Sequence, residues 1–243
     1  MGLRMMCVVA HPDDECFAFG GALALAARQG VETYVICLTD GQAASNRGEA
    51  SSGQDLGRMR REEFVASCDV LGVSRYELLD YQDAKLEYEN FSEVAGRLVT
   101  RMRDYKPHVV LTFSADGALN THPDHTMVSS FTNAAYHWAA SAKRYPEAGP
   151  VHHAERLYLL STSFFMEGRP APMPPPWTVT LDVREVMAQK QEAFRQHCSQ
   201  APLMEQTRLM FEQFGHNEHY ILAATRDPQP AAHTDNFFKG LAG

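Results

Sequence analysis

Residues 5–38 read MMCVVAHPDDECFAFGGALALAARQGVETYVICL, and this stretch decides the fold class. Residues 5–10 form a continuous apolar run that stops at a sharp polar break, as a buried strand does. Residues 16–28 are rich in Ala and Leu and are closed by Gly30, which predicts a helix with a glycine stop. Residues 31–38 are rich in β-forming side chains. A strand, a helix and a second strand in this order are typical of a parallel sheet.

The same alternation continues through the rest of the chain. Helices are predicted at 56–71, 91–104, 123–140 and 187–197, strands at 76–79, 108–113, 157–161 and 178–181, and loops at 42–57 (rich in Gly, Ser and Asn) and 170–176 (rich in Pro). This order predicts an α/β fold, a Rossmann-like three-layer sandwich with a mainly parallel sheet. Since neither an internal repeat nor a dividing linker is visible, a single domain over residues 1–243 is expected.

Composition and charge narrow the class of protein. The chain has 243 residues, a net charge of -8 and a pI near 5.7, which argues against a dedicated nucleic-acid binder and against a polybasic membrane anchor. The apolar run at 5–10 is too short for a secretory signal or a bilayer span. The five cysteines are odd in number and form no CxxC pair, which favours a reducing cytoplasm. The oligomeric state is left open, with a homo-oligomer as one outcome.

The first polar break holds His11-Pro12-Asp13-Asp14-Glu15, directly after the first predicted strand. Two adjacent carboxylates that both stay charged repel each other, and a divalent cation relieves that conflict. His11 and Asp14 lie three residues apart around a tight turn, so they can converge on one metal while Asp13 stays free as a base. A polar loop in which Glu15 favours the positive end of the next helix explains the same residues equally well.

The second cluster, His122-Pro123-Asp124-His125, follows the fourth predicted strand and starts a helix. His122 and His125 are three residues apart and share a helical face, so one or both can reach a metal. The alternative is a pair of exposed histidines, with Asp124 as a charge at the helix N-terminus.

Together, the two clusters are stronger evidence for a metal site than either cluster is alone. Ligands of open α/β sheets bind beyond the carboxyl ends of the strands, so both clusters are expected at one edge of the sheet. Two histidines and one aspartate make three protein ligands and leave a fourth position for water, which is the pattern of catalytic zinc. Water on such a zinc ion has its pKa lowered to roughly 7, which makes it a nucleophile at neutral pH.

The stretch AHPDDECFAFGGALALAARQG at 10–30, together with NTHPDH at 120–125, resembles the PIG-L/LmbE family of zinc-dependent N-deacetylases. Further matches follow in family order: RMRREEFVASCDVLGV with Arg60 and Glu63, YQDAKL with Asp83, and KQEAFRQHCSQ with Lys190, His197, Ser199 and Gln200. The resemblance implies a hydrolase that removes an acyl group, in the first place acetyl, from the nitrogen of a small sugar-like substrate of the N-acetylglucosaminyl type.

The resemblance also implies a role for each residue of the two clusters. One Zn²⁺ per chain is expected, with Fe²⁺ left open as the metal in the cell, and its ligands match His11, Asp14 and His125. Asp13 matches the general base that activates water. His122 matches the histidine that stabilises the oxyanion, and Asp124 matches the carboxylate that orients it. The allocation is physically coherent, because a base stands beside the water and a donor faces the developing negative charge.

Two residues outside these clusters are candidates for binding substrate. Asp83 matches the acidic position of the family's turn, although Gln82 and Ala84 replace the usual Pro and Gly on either side, so a differently shaped turn is expected. Arg47, in the loop at 42–57, can contact a substrate hydroxyl or phosphate, and a solvated loop arginine explains it as well.

Two other functions stay open from the sequence. The first is a zinc amidase of the same fold that cleaves a larger amide, such as a thiol conjugate. The second belongs to another class, a nucleotide-binding Rossmann module with Gly20-Gly21 near a phosphate. No GxGxxG follows the first strand, and the carboxylates in its place repel pyrophosphate, which weakens that hypothesis.

Overall fold

The computed structural model describes residues 2–118, 122–162 and 177–242. Seven strands form one sheet: β1 (Arg4–Val9), β2 (Glu32–Thr39), β3 (Arg75–Tyr81), β4 (Val109–Phe113), β5 (Arg156–Ser161), β6 (Val179–Asp182) and β7 (Asn217–Thr225). Their order is β3-β2-β1-β4-β5-β7-β6. The first five strands run parallel, and β7 is antiparallel to both of its neighbours. The mainly parallel sheet predicted from the sequence is therefore confirmed.

Helices cover both faces of this sheet. They are α1 (Asp14–Phe17), α2 (Gly20–Arg28), α3 (Gly53–Leu71), α4 (Phe91–Tyr105), α5 (Pro123–Ala139), α6 (Met187–Arg195) and α7 (Ala201–Phe214). On one face α4 packs against α5, while α2 and α3 pack against α6 on the other. No helix in the described ranges is both long and apolar enough to cross a bilayer.

The central strands are buried because both of their faces are covered. Residues 5–9 of β1 are 0% exposed, as is usual for parallel strands between two helical layers. The order of the strands reverses between β1 and β4, since β2 and β3 lie on one side of β1 and β5 lies beyond β4. A crevice opens at such a reversal, at the carboxyl ends of the strands. The fold thus places the turns that follow β1 and β4 side by side.

The single helix predicted over 16–28 is wrong in detail, because the chain breaks between α1 and α2. The main-chain N–H groups of Gly21 and Ala22 donate to the carboxylate of Glu218 at 2.7 and 2.9 Å. A Cβ atom on Gly21 would lie 2.3 Å from Cγ1 of Val183 and 2.6 Å from Oε1 of Glu218. The glycine pair therefore allows a buried carboxylate to reach the start of α2.

The end of the chain differs most from the prediction. The last element predicted from the sequence is the helix over 187–197, but the structure adds α7 and then β7, which lies between β5 and β6. The helix predicted at 56–71 begins earlier, at Gly53, where the hydroxyl of Ser52 accepts a hydrogen bond from the Asp55 N–H. The proline-rich loop predicted at 170–176 lies outside the described residues.

Replacing Glu218 with Ala should destabilise the fold strongly. Its carboxylate binds the Lys190 ammonium at 2.6 Å, and both side chains are 4% exposed. Removing one partner of a buried ion pair leaves an uncompensated charge and costs about 3–5 kcal/mol. Urea unfolding followed by circular dichroism measures the change.

The matched control is Glu205→Ala, because Glu205 pairs with Arg208 at the surface and is 76% exposed. Its expected effect is within about 0.5 kcal/mol. Equal unfolding free energies for the two variants would contradict the role given to Glu218.

Candidate active site

Four neighbouring strand ends enclose one cleft of about 550 Å³. The turn after β1 contributes His11, Asp13 and Asp14, and the loop after β2 contributes residues 43–46. The turn after β3 adds Asp83 and Ala84, and the start of α5 adds His122 and His125. The opposite wall comes from the C-terminal part of the chain: Gln200, Leu203, Gln206 and Thr207. Both polar clusters found in the sequence therefore meet at one edge of the sheet.

His11, Asp14 and His125 lie close enough together to share one ion, with their ligand atoms within 4.8 Å of one another. The two oxygens of Asp14 point to different histidines. Oδ1 is 3.2 Å from Nε2 of His125, and Oδ2 is 3.5 Å from Nδ1 of His11. All three residues are buried, and the ring of His125 stacks on Phe113 at 4.1 Å. Burial and this stacking thus restrict the side chains of the cluster.

The donor chemistry of this cluster fits a divalent metal. Nε2 of His11 is 3.0 Å from Oδ1 of Asp83 and 3.2 Å from Oδ2 of Asp124. Metal-binding histidines commonly donate one ring N–H to a carboxylate, which leaves the other nitrogen for the ion. Burial opposes protonation of His11, but its hydrogen bonds to Asp124, Asp14 and Asp83 outweigh burial and raise its pKa. The three carboxylates around the His11 imidazole therefore create a negative potential that favours binding of a cation.

Asp13 lies beside the cluster, and its carboxylate faces Arg60. Its backbone is left-handed, with φ 99°, and its Oδ2 accepts a hydrogen bond from Nη2 of Arg60 at 2.9 Å. The same guanidinium also donates to the carbonyl oxygens of Pro12 and Gly41. Burial raises the pKa of the Asp13 carboxyl to about 6, although the charge of Arg60 opposes this. The side chain is therefore a carboxylate at the cleft whose basicity is suited to neutral pH.

His122 occupies the N-cap of α5 and faces the other two histidines. Its ring centroid is 4.8 Å from that of His11 and 5.5 Å from that of His125. Its Nδ1 accepts a hydrogen bond from the main-chain N–H of Asp124 at 3.2 Å, which places the ring proton on Nε2. Burial, followed by the nearby His11 and His125, lowers the pKa of His122. The arrangement makes His122 a neutral hydrogen-bond donor.

The carboxylate of Asp124 was expected to orient His122, and the structure shows it in contact with other groups. Its two oxygens accept hydrogen bonds from the main-chain N–H groups of Ala84 at 2.7 Å and Leu86 at 3.2 Å, in addition to the contact with His11. Ala84 has φ 60°, in the left-handed region where the family's usual glycine is favoured. Asp124 thus ties the start of α5 to the turn that carries Asp83.

The two candidate substrate residues are placed differently. Asp83 is buried at the wall of the cleft, where its Oδ2 accepts a hydrogen bond from the Ala43 N–H at 2.9 Å. Arg47 is exposed and is not among the described residues that line the cleft. The wall formed by α7 was not predicted from the sequence. Apolar side chains at 203, 204, 210, 211 and 214 recur at helical spacing, and that pattern was the available signal.

Beneath Asp13 lies a buried polar network whose role the sequence did not reveal. Glu15 and His197 are in contact at 2.8 Å, and Ser67 donates to the same oxygen of Glu15 at 2.5 Å. Glu63 accepts two hydrogen bonds from Ser199, from its N–H and its hydroxyl, both at 2.7 Å. The resemblance identified most of these residues, but only the structure shows that they lie together.

The sequence is similar to those of known amidases and deacetylases. The chain is 31% identical over 177 residues to a mycothiol S-conjugate amidase of Streptomyces coelicolor, an alignment that covers 64% of this chain and 60% of that protein. It is 29% identical over 239 residues to a 1D-myo-inositol 2-acetamido-2-deoxy-alpha-D-glucopyranoside deacetylase of Rhodococcus jostii, covering 81% of each.

The fold agrees with a solved structure as well. An N,N'-diacetylchitobiose deacetylase from Pyrococcus horikoshii superposes with a TM-score of 0.77 at 22% identity, covering 97% of this chain and 88% of the other. The family model of PIG-L, described as GlcNAc-PI de-N-acetylase, matches residues 6–136. That match contains all the cluster residues and more than half of the sequence, and the chain therefore belongs to the PIG-L family of deacetylases.

Proposed function

We propose that this chain hydrolyses the N-acetyl group of a small substrate of the N-acetylglucosaminyl type, with one Zn²⁺ held by His11, Asp14 and His125. The observation that carries the proposal is the meeting of these three residues in one cleft with Asp13 and His122 beside them. Relatives named as deacetylases of acetylated amino sugars support the choice of substrate.

The metal would supply a Lewis acid and a water of lowered pKa, near 7 for zinc. Zinc suits two imidazoles and one carboxylate with a position left open. Iron(II) accepts the same set of donors, so Fe²⁺ is the alternative ion.

Asp13 acts as the general base in this proposal. Its carboxylate lies at the cleft, and Arg60 fixes one of its oxygens, so the side chain is oriented before substrate arrives. Asp13 takes a proton from the attacking water as the new C–O bond forms. It returns that proton to the amine nitrogen as the C–N bond breaks, and the products are acetate and a free amine.

His122 stabilises the charge that develops on the carbonyl oxygen. Because its Nδ1 accepts the Asp124 N–H, its Nε2 carries the proton and can donate to that oxygen. A donor fixed by the backbone needs no reorganisation when the charge appears, which is the basis of oxyanion stabilisation. Asp83, at the wall of the cleft, is the residue we assign to a substrate hydroxyl, and Arg47 is a contact only for a substrate long enough to extend beyond the lining residues.

A second function uses the same amide chemistry on a larger substrate. The similarity to a mycothiol S-conjugate amidase favours it. The hypothesis of a nucleotide-binding module loses its support, because the N–H groups of Gly21 and Ala22 already donate to Glu218 and are not offered to a phosphate.

We further propose that residues 1–243 act as one domain on a small molecule in the cytoplasm, without nucleic acid or a membrane anchor, and that a homo-oligomer is compatible with this role. The cysteine pattern and the acidic charge support the compartment and the class of partner.

Acetate and a free amine should be released from N-acetylglucosamine derivatives. The assay uses N-acetylglucosamine, N,N'-diacetylchitobiose, an N-acetylglucosaminyl inositol and an amide-linked thiol conjugate, and measures both products. Activity on the acetylated sugars that a chelator removes and Zn²⁺ restores is the expected result. Cleavage of the thiol conjugate alone would favour the second function, and no cleavage of any amide would refute both.

Purified chain should contain one equivalent of a divalent metal. His125→Ala should lose it, because one of the three ligands is gone. Asp13→Ala should keep it and lower turnover by about 10²–10⁴-fold, the usual contribution of a general base. Metal analysis and kcat are measured on the same samples. Loss of the ion from Asp13→Ala would make Asp13 a ligand and overturn its assignment as the base.

His122→Ala should retain the metal and lower kcat by about 10²–10³-fold, as expected for one lost oxyanion donor. His137→Ala serves as control, since His137 is another histidine of α5 that is exposed and does not line the cleft. Metal lost together with activity would instead place His122 on the ion.

A further inference from the structure

Asp13, the proposed general base, has an unusual backbone conformation. Asp13 has φ 99° and ψ -27°, a left-handed conformation that is strained for a residue with a side chain. Such strain persists only where the surrounding structure holds it, and it is found at functional sites. Neighbouring groups must therefore hold Asp13 in this conformation.

Glu15 is the nearest of these groups. Its Oε2 accepts the main-chain N–H of Asp13 at 2.9 Å, a bond between residues two positions apart that closes the turn. Glu15 is 0% exposed, so its carboxylate must itself be held by partners. Those partners are the hydroxyl of Ser67 at 2.5 Å and Nε2 of His197 at 2.8 Å, both on Oε1.

His197 comes from the other end of the chain, just after α6. It is 1% exposed, and it is absent from the described residues that line the cleft. The hydrogen-bonded link from its ring to the site runs through Glu15. The second carboxylate near the ring, that of Glu63, is 3.9 Å from Nδ1, which is beyond hydrogen-bond distance.

We propose that His197 is a positioning residue for the reaction: through Glu15 it holds the left-handed backbone of Asp13, and so keeps the carboxylate of the base at the cleft. This inference rests on the proposed function, in which Asp13 is the base. The chain of contacts runs from Nε2 of His197 to Oε1 of Glu15, and from Oε2 of Glu15 to the N–H of Asp13. Removing the donor of His197 frees the Glu15 carboxylate to turn away, and the turn at Asp13 can then relax.

The first measurement is independent of activity. Hydrogen exchange, read by mass spectrometry on the peptide that contains residues 11–17, reports how well the Asp13 N–H is held. His197→Leu removes the donor at similar bulk, and His197→Gln keeps an N–H that can reach Glu15. Faster exchange of this peptide in His197→Leu, with exchange close to that of the natural protein in His197→Gln, is expected. Unchanged exchange in His197→Leu overturns the proposal.

The second measurement separates positioning from general loss of structure. His197→Leu should lower kcat by about 10²-fold, the scale of a small misplacement of a reacting group, while KM and metal content stay the same. In an Asp13→Ala background the same change should cost no more than about twofold, because residues that act through one another are not additive. A full 10²-fold loss in that background would show that His197 acts on something other than the base.

Ser199→Ala is the matched control. Ser199 is also buried in this segment, but its hydroxyl contacts Glu63 and Gln200 and makes no hydrogen bond to Glu15 or Asp13. The Ser199→Ala change should lower the unfolding temperature and leave the exchange of the 11–17 peptide unchanged. Should His197→Leu fail to fold, Ser67→Ala removes the other hydrogen bond on Oε1 of Glu15 and should shift exchange and kcat in the same directions.

The outcomes distinguish the two proposals. Faster exchange in His197→Leu with an unchanged kcat would keep the structural link and remove Asp13 from the role of base. A lower kcat with unchanged exchange would keep the deacetylase function and overturn the positioning role of His197.

Discussion

Asp13 and Asp14 are adjacent buried carboxylates, and burial together with the charge of Asp14 raises the pKa of Asp13. The structure tolerates this repulsion because each carboxylate has partners of its own. Asp14 accepts the main-chain N–H of His11 at 2.8 Å and faces both histidines of the cluster. Asp13 turns to Arg60 at 2.9 Å. Like charges that are separated and each given a cationic or N–H partner can both stay ionised in a buried site, and one turn then supplies two chemical roles.

The parts of the structure that depend on local signals were predictable from the sequence. The apolar run at residues 5–10 and the polar break at His11 fix β1 and its carboxyl end, since a buried parallel strand reads as a continuous apolar stretch. Pro123 fixes the start of α5, because proline is favoured in the first helical turn. With both clusters at strand ends, the topology of a parallel sheet was enough to bring His11 and His125 to one edge.

The features of the structure that depend on contacts between distant residues could not be predicted from local sequence patterns. β7 carries Asn217, Glu218 and His219 in sequence, and a buried glutamate in a strand has no apolar pattern to reveal it. Glu218 belongs in the core only because Gly21 and Ala22, 197 and 196 residues away, donate to it. In the same way the break between α1 and α2, and the contacts of Asp124 with Ala84 and Leu86, follow from partners that no window of the sequence contains.

The position of Glu218 also bears on how the chain reaches its fold. The start of α2, within the first thirty residues, is completed by a side chain of the last strand, which enters the sheet between β5 and β6. Contacts between residues so far apart in sequence form late in folding, because the chain must first lose the entropy of closing a long loop. During synthesis the start of α2 therefore lacks its partner Glu218 until β7 has been made, and the edge of β5 that pairs with β7 is still open. An unpaired strand edge of this kind favours aggregation of the incomplete chain.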